Sequence, residues 1–132
     1  MPALDKHLKE CNFEKYFKKL VKKLKGKTIV VYGTGMLFEH VLRNYDLSQI
    51  NIIGISDTKY FSVQEGDTDF GYKIIPLYDL EGCNTDVILL GIKNYHPVIE
   101  GLKEDYFTDK QIKIIPLVKV PFLKRIKDFF LK

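Results

Sequence analysis

The 132-residue sequence contains few of the residues that build disulfide frameworks or metal sites, and it has no long apolar run. Its two cysteines, Cys11 and Cys83, are isolated and its three histidines do not cluster, so we expect reduced thiols and no metal site. No apolar stretch approaches the roughly 18 residues of a membrane span. The first residues also lack the apolar segment of a secretory signal. We therefore expect one soluble, cytoplasmic domain.

Charge is unevenly distributed along the chain, although the net charge is only +4. Residues 1–27 carry nine lysines against three acidic residues, and residues 121–132 carry four basic residues against one acidic residue. Residues 28–120 are acidic overall, with thirteen Asp and Glu against eight Lys and Arg. A nucleic-acid-binding protein concentrates its basic residues on the folded face that reads the ligand. Because the basic residues here belong to the two ends, we predict no nucleic-acid partner.

Apolar runs rich in β-branched residues alternate with amphipathic stretches through the middle of the chain. Such runs are typical of strands buried on both faces of a parallel sheet, and their alternation with helices indicates a doubly wound α/β fold. The polar stretch 58–71 is predicted to be a loop with a small hairpin. The predicted strands are residues 28–32, 51–56, 86–92 and 112–117.

Amphipathic helices are predicted at both ends of this domain. Residues 1–27 are the N-terminal basic helix, residues 28–120 the Rossmann-like domain, and residues 121–132 the C-terminal amphipathic helix. The apolar stripe of the last helix has three interpretations, namely packing on its own domain, an interface with a partner or second subunit, or contact with an anionic membrane surface. Of the three, membrane contact is the least favoured.

The segment VVYGTG, residues 30–35, ends the first predicted strand with two glycines around one threonine. Gly33 allows a tight turn, and Gly35 lets the backbone approach a phosphate without an intervening Cβ. The helix that begins near Met36 points its free N–H groups at such an anion. Asp57 follows the second predicted strand, where a carboxylate can hold ribose hydroxyls. The candidate nucleotide contacts are therefore Gly33, Thr34, Gly35 and Asp57.

The dinucleotide-binding fingerprint is incomplete in this sequence, because Phe38 stands where a third glycine or alanine is expected. A phenylalanine at this position is expected to push the helix away from the sheet or to fill space that a dinucleotide needs. Two interpretations stay open: the glycine turn binds a nucleotide, or it is a structural corner that keeps the fold without the ligand.

A second group of candidates, KNYHP at residues 93–97, follows the third predicted strand and should reach the same sheet edge as the glycine turn. Lys93 can pair with a phosphate, Asn94 can hydrogen-bond a sugar or amide, and His96 can exchange a proton near neutral pH. The structural alternative is that Asn94 or His96 caps the next helix while Tyr95 packs on the surface.

Four segments resemble the small Rossmann-like domains of bacterial surface-polysaccharide proteins. These domains include the nucleotide-binding part of sugar acyltransferases, epimerase/dehydratase-like proteins, and the accessory domain of some methyltransferases. The resemblance implies that Gly33, Gly35 and Asp57 contact a nucleotide or nucleotide-sugar, in the setting of cell-surface glycan metabolism. The segments are IVVYGTGMLFEHVLRNYD, INIIGISDTK, GYKIIPLYDL and TDVILLGIKNYHPVIEGL.

The sequence thus predicts a nucleotide- or nucleotide-sugar-binding domain without a complete catalytic apparatus, and we assign no catalytic residue. NAD and nucleotide-sugars are the candidate ligands, and the acid at position 57 disfavours the 2′-phosphate of NADP. The alternative is a non-catalytic interaction or regulatory module with a structural glycine turn. That module would dock a glycan-synthesis enzyme such as a glycosyltransferase, or an identical subunit as a homo-oligomer.

Overall fold

The computed structural model describes residues 2–64, 66–107, 112–122 and 124. These residues form five α-helices, six strands and one 3₁₀ turn at Leu47–Gln49. In chain order the helices and strands are α1 (Pro2–Glu10), α2 (Phe13–Lys23), β1 (Ile29–Tyr32), α3 (Met36–Asn44), β2 (Ile52–Ser56), β3 (Thr68–Asp69), β4 (Tyr72–Lys73), α4 (Leu77–Leu80), β5 (Val87–Leu90), α5 (His96–Asp105) and β6 (Lys113–Pro116).

Four parallel strands form the central sheet in the order β2-β1-β5-β6, and β3 and β4 form a separate antiparallel hairpin. Successive side chains of a strand point to opposite faces of a sheet. Val31 of β1 therefore packs in one buried cluster with Phe17 of α2 and Val41 of α3, whereas Val30 packs in a second cluster with Leu102 of α5. Because both faces of the parallel sheet are covered, the predicted α/β, Rossmann-like doubly wound fold is confirmed.

The N-terminal region consists of two helices, where the sequence predicted one. The chain turns between α1 and α2 at Asn12, which has a left-handed backbone conformation with φ of 50°. Asparagine adopts this conformation more readily than most residues. Leu8 of α1 and Phe13 and Leu20 of α2 are buried in the same core cluster as the strands, so the basic N-terminal region packs on the sheet through its apolar faces.

Of the predicted C-terminal helix, residues 121–132, only residues 121, 122 and 124 lie within the described part of the chain. The three interpretations of that helix therefore stay predictions. No helix among the described residues combines the length and the apolar character needed to cross a bilayer.

The direction of strand addition reverses between β1 and β5, the point at which open α/β sheets bind ligands. The loops that follow these two strands touch through glycines. A Cβ placed on Gly91 would lie 2.3 Å from the Gly33 carbonyl oxygen and 3.1 Å from the Phe38 Cβ. Gly33 itself has a φ of 96°, which favours glycine. Both loops therefore need glycine at their point of contact.

We predict that Gly91→Ala lowers the free energy of unfolding by about 1–3 kcal/mol, because the added methyl overpacks this contact. Urea denaturation measures the change. Gly101→Ala is the matched control: its Cβ meets no atom within 4 Å, and alanine is favoured over glycine inside a helix by about 1 kcal/mol. A Gly91→Ala protein as stable as the wild type would contradict the importance of this contact.

Candidate functional site

The glycine turn, defined as Gly33, Thr34 and Gly35, connects the central strand β1 to α3 at the switch point of the sheet. Its first residue is held by the neighbouring strand, because the Gly33 N–H donates to the Ser56 carbonyl at 2.9 Å. Thr34 is buried. Gly35 differs from both, since a Cβ placed on it would meet no atom within 4 Å. Gly33 and Thr34 are therefore packed within the protein, whereas Gly35 borders open space.

Helix α3 begins without a side-chain cap. Gly35 is its N-cap residue in an extended conformation, and a glycine offers no side-chain acceptor for the first N–H groups of the helix. The first N–H that reaches back to the N-cap carbonyl is that of Glu39, which donates to the Gly35 oxygen at 3.1 Å. The N–H groups of the first turn, together with the positive end of the helix dipole, are therefore available to an anion.

Asp57 is bound to the glycine turn. Its Oδ2 accepts the Thr34 backbone N–H at 2.7 Å and lies 3.4 Å from the Thr34 hydroxyl. Its Oδ1 accepts the Lys59 backbone N–H and the Thr58 hydroxyl, each at 3.2 Å. The predicted ribose-binding carboxylate thus lies beside the turn, as the sequence pattern implied, but it already accepts the N–H groups of Thr34 and Lys59 and the Thr58 hydroxyl. The more distant Thr34 hydroxyl is shared with Tyr60.

These donors decide the ionisation of Asp57. Partial burial opposes the charged form, but the backbone N–H groups of Thr34 and Lys59 and the Thr58 hydroxyl outweigh it, with a smaller contribution from the Lys59 charge. The net effect holds the pKa of the Asp57 carboxyl below its ordinary value. Asp57 is therefore a stable anion at neutral pH and a structural acceptor for the turn.

Lys59 contacts the other polar group of the Thr34 backbone. Its Nζ donates to the Thr34 carbonyl oxygen at 2.8 Å. The ammonium also lies 5.3 Å from the ring centroids of both Tyr60 and Phe70, within the range of a cation–π contact. The role of Lys59 was not predicted from the sequence. Its position two residues after Asp57 was the only signal in the sequence, and no spacing rule connects a loop lysine to a carbonyl group in another turn.

The loop and hairpin that follow β2 pack against the glycine turn. The Tyr60 hydroxyl donates to Asp69 Oδ2 at 2.7 Å and lies 3.0 Å from the Thr34 hydroxyl. Burial first, and then the Asp69 carboxylate, raises the pKa of Tyr60, although the Thr34 hydroxyl opposes the shift. Tyr60 therefore stays protonated and acts as a donor. The stretch expected as a polar loop with a hairpin thus also supplies a buried link between the turn and β3.

Phe38 does not lie in the space beside the glycine turn. Its side chain is fully buried, and its ring packs edge-on against Phe70 with a centroid distance of 5.4 Å. Gly91 leaves the space that the Phe38 Cβ needs. The expectation that this phenylalanine displaces the helix or fills ligand space is therefore not met, because the ring enters the core.

Lys93 and Asn94 follow β5 and are exposed, on the loop whose Gly91 touches Gly33. Neither of the two makes a hydrogen bond or ion pair with another side chain in the described ranges. The capping alternative is wrong, because α5 begins at His96 with Tyr95 as its N-cap and no side-chain cap bond. Tyr95 is also buried, and its hydroxyl accepts the Val120 N–H at 3.1 Å. Lys93 and Asn94 stay candidate ligand contacts.

The part of the chain that the structure describes contains no cluster of possible metal ligands. No three His, Cys, Asp or Glu side chains there come together as a set of ligands. Asp57 and Asp69 both contact the turn network, but their oxygen atoms accept protein N–H and O–H groups.

Comparisons with known proteins add little to this geometry. No protein-family model matches the chain, and no curated protein matches it in sequence. A chain from the crystal structure of RSP in complex with beta-NAD+ and operator DNA is similar to it in structure, with a TM-score of 0.45 and 15% sequence identity. The match covers 89% of this chain and 62% of that chain, less than two thirds of its length. A similarity this distant gives no information about ligands, and none of the comparisons supports the polysaccharide family.

We predict that Asp57→Asn lowers the free energy of unfolding at pH 7 by about 1–2 kcal/mol, because charge-assisted hydrogen bonds to the turn are weakened. Since the pKa of Asp57 is lowered in the folded state, the stabilisation is present above the unfolded pKa of about 4. It is lost as the pH falls through the folded pKa. The stability difference between wild type and variant, measured by urea denaturation, should therefore shrink in acid.

The control is Asp79→Asn, which changes an exposed aspartate whose carboxylate accepts no hydrogen bond from another described residue. It should leave stability at pH 7 nearly unchanged. A difference between wild type and Asp57→Asn that is constant from pH 7 to pH 3 would contradict the role of the ionised carboxylate.

Proposed function

We propose that the protein binds a nucleotide or nucleotide-sugar at the glycine turn. The observation that carries the proposal is the uncapped N-terminus of α3 beside the open space at Gly35, at the switch point of a parallel sheet. In doubly wound folds this position receives the phosphates of nucleotides, because N–H groups and the helix dipole converge there.

The ribose would lie toward Asp57. A carboxylate has about four lone-pair sites, and here two of the groups around it are side-chain hydroxyls at 3.4 and 3.2 Å, from Thr34 and Thr58. Both distances are long for a hydrogen bond between two oxygen atoms, and a ribose diol can take the place of both hydroxyls. The backbone N–H of Thr34 would keep its short bond and hold the carboxylate in place for the ligand.

Two further groups fit a phosphate-bearing ligand. Lys59 places an ammonium group beside Thr34, and Lys93 and Asn94 follow the strand adjacent to β1. NAD and nucleotide-sugars remain the candidate ligands, and the fixed anion at Asp57 disfavours the 2′-phosphate of NADP. The setting of surface-glycan metabolism comes only from the resemblance described above. We assign no catalytic residue, so the proposed activity is binding.

A second candidate function has its own supporting observation. Thr34 is bound at its N–H by Asp57 and at its carbonyl by Lys59, so the central residue of the turn is held within the protein through both of its backbone groups. This arrangement suits a structural corner in an interaction or regulatory module that docks another protein or a second copy. On this hypothesis Asp57→Ala lowers stability and has no effect on any small ligand.

Thermal unfolding in the presence of NAD, NADP, a UDP-sugar, coenzyme A or S-adenosylmethionine tests the first candidate. A ligand at about 100 times its dissociation constant adds about 2.7 kcal/mol of stability, which raises the Tm by several degrees for a domain of this size. We predict such a shift with one of these ligands. No shift with any of them at millimolar concentration would reject nucleotide binding and leave the second candidate.

Gly35→Ser is the variant that identifies the site. Its Cβ enters open space and its hydroxyl can cap α3, so stability without ligand should stay the same or rise by a few tenths of a kcal/mol. The same side chain obstructs the approach of a phosphate and occupies N–H groups, and we therefore expect the ligand-induced shift to be lost. Gly101→Ser, on α5, should keep it. A full shift in Gly35→Ser would place the ligand elsewhere.

A further inference from the structure

A basic groove lies between α2 and the chain that follows β6, and it is formed by residues that the nucleotide proposal does not use. One bank carries Lys15, Lys19 and Lys23 of α2, and the other carries Lys119. The cavity has a volume of about 650 Å³. The Tyr16 hydroxyl donates to the Pro116 carbonyl at 2.5 Å and thereby links the two banks at the base of the groove.

Among the residues that the structure describes, the four lysines of the groove have no acidic counterpart. All four are exposed, none of them forms an ion pair with the described residues, and no described Asp or Glu lines the groove. Like charges that are held close together repel one another, and a ligand of opposite charge relieves that repulsion. The positive charge of the groove is therefore not balanced by the described residues.

The floor of the groove is apolar. Leu20, Ile115, Pro116 and Pro121 line it, and Phe122 stands at its margin with 69% of its surface exposed. A free phosphate or a flexible polyanion would use the lysines but would leave this apolar surface exposed to water. A ligand that combines acidic groups with apolar side chains satisfies both parts of the groove.

The spacing of the lysines matches a helical ligand. Positions 15, 19 and 23 are four residues apart on α2, which puts successive lysines about 6 Å from each other along one line. An acidic helix with carboxylates at every fourth position has the same spacing when it lies alongside. A flat membrane surface would reach Phe122 and the lysine ends, but not the partly exposed Ile115 and Pro116 on the floor between the banks.

We propose that this groove docks an acidic amphipathic helix of a partner protein. The carboxylates of that helix pair with the lysines of α2 and with Lys119, and its apolar side chains cover the floor and Phe122, in the manner of helix-in-groove recognition. The glycine turn contributes no residue to the groove, so this interaction is independent of whether a nucleotide binds there.

The experiment uses the full chain and a labelled synthetic helix with glutamates at every fourth position and leucines on the adjacent face. Binding is followed by fluorescence anisotropy at low and high salt. The groove variant is Lys15→Glu, Lys19→Glu and Lys23→Glu together. Its matched control is Lys18→Glu, Lys22→Glu and Lys25→Glu, which changes the net charge equally with exposed lysines that do not line the groove.

We expect the groove variant to bind the peptide at least about 10-fold more weakly than the wild type, and the control to lose no more than about threefold. Phe122→Ala should weaken binding in a salt-independent way. If the triple variant does not fold, Lys119→Glu tests the opposite bank alone. Equal loss in groove variant and control, or no binding by the wild type, would overturn the proposal. Binding to phosphatidylglycerol vesicles but not to the peptide would also overturn it, in favour of a membrane surface.

Discussion

The backbones of the loops after β1 and β5 come into close contact at the switch point of the sheet. The Gly33 carbonyl oxygen lies where a side chain at position 91 would begin. Because Gly91 has no side chain, Phe38 in the first turn of α3 can pack beside it and is fully buried. The residue that breaks the dinucleotide fingerprint is thus accommodated by a glycine in the loop after the neighbouring strand. Phe38 is therefore no argument against a ligand at the turn.

The glycine turn has a fixed geometry before any ligand arrives, because both polar groups of the Thr34 backbone are occupied. Asp57 accepts the N–H and Lys59 donates to the carbonyl. The N–H groups that remain available are those of α3, so an anion would find them already oriented. Such preorganisation reduces the entropy lost on binding. It would also stabilise a purely structural turn, which is why the internal hydrogen bonds alone do not separate the two candidate functions.

The sequence predicted the features that depend on local patterns. The apolar runs predicted the strands of the sheet. The two glycines predicted the tight turn, and Asp57 was predicted to lie beside it. It did not predict the roles of Lys59 and Tyr60, because residues 58–71 have no hydrophobic periodicity and their contacts depend on how the hairpin folds back onto Thr34. Nor did it predict the break at Asn12, since a left-handed residue without glycine or proline leaves only a weak signal in sequence.

The distribution of charge does not indicate where the proposed nucleotide would bind in this protein. The lysine-rich segments belong to α2 and the chain ends, whereas the glycine turn lies in the acidic middle of the sequence, with Asp57 itself at its edge. A phosphate near this carboxylate would be repelled, and the dipole of α3 and the Lys59 ammonium oppose that repulsion. A nucleotide at this site is therefore favoured in one orientation, with uncharged ribose hydroxyls toward Asp57 and phosphates toward Gly35. The reverse orientation would bring two anions together beside a buried turn.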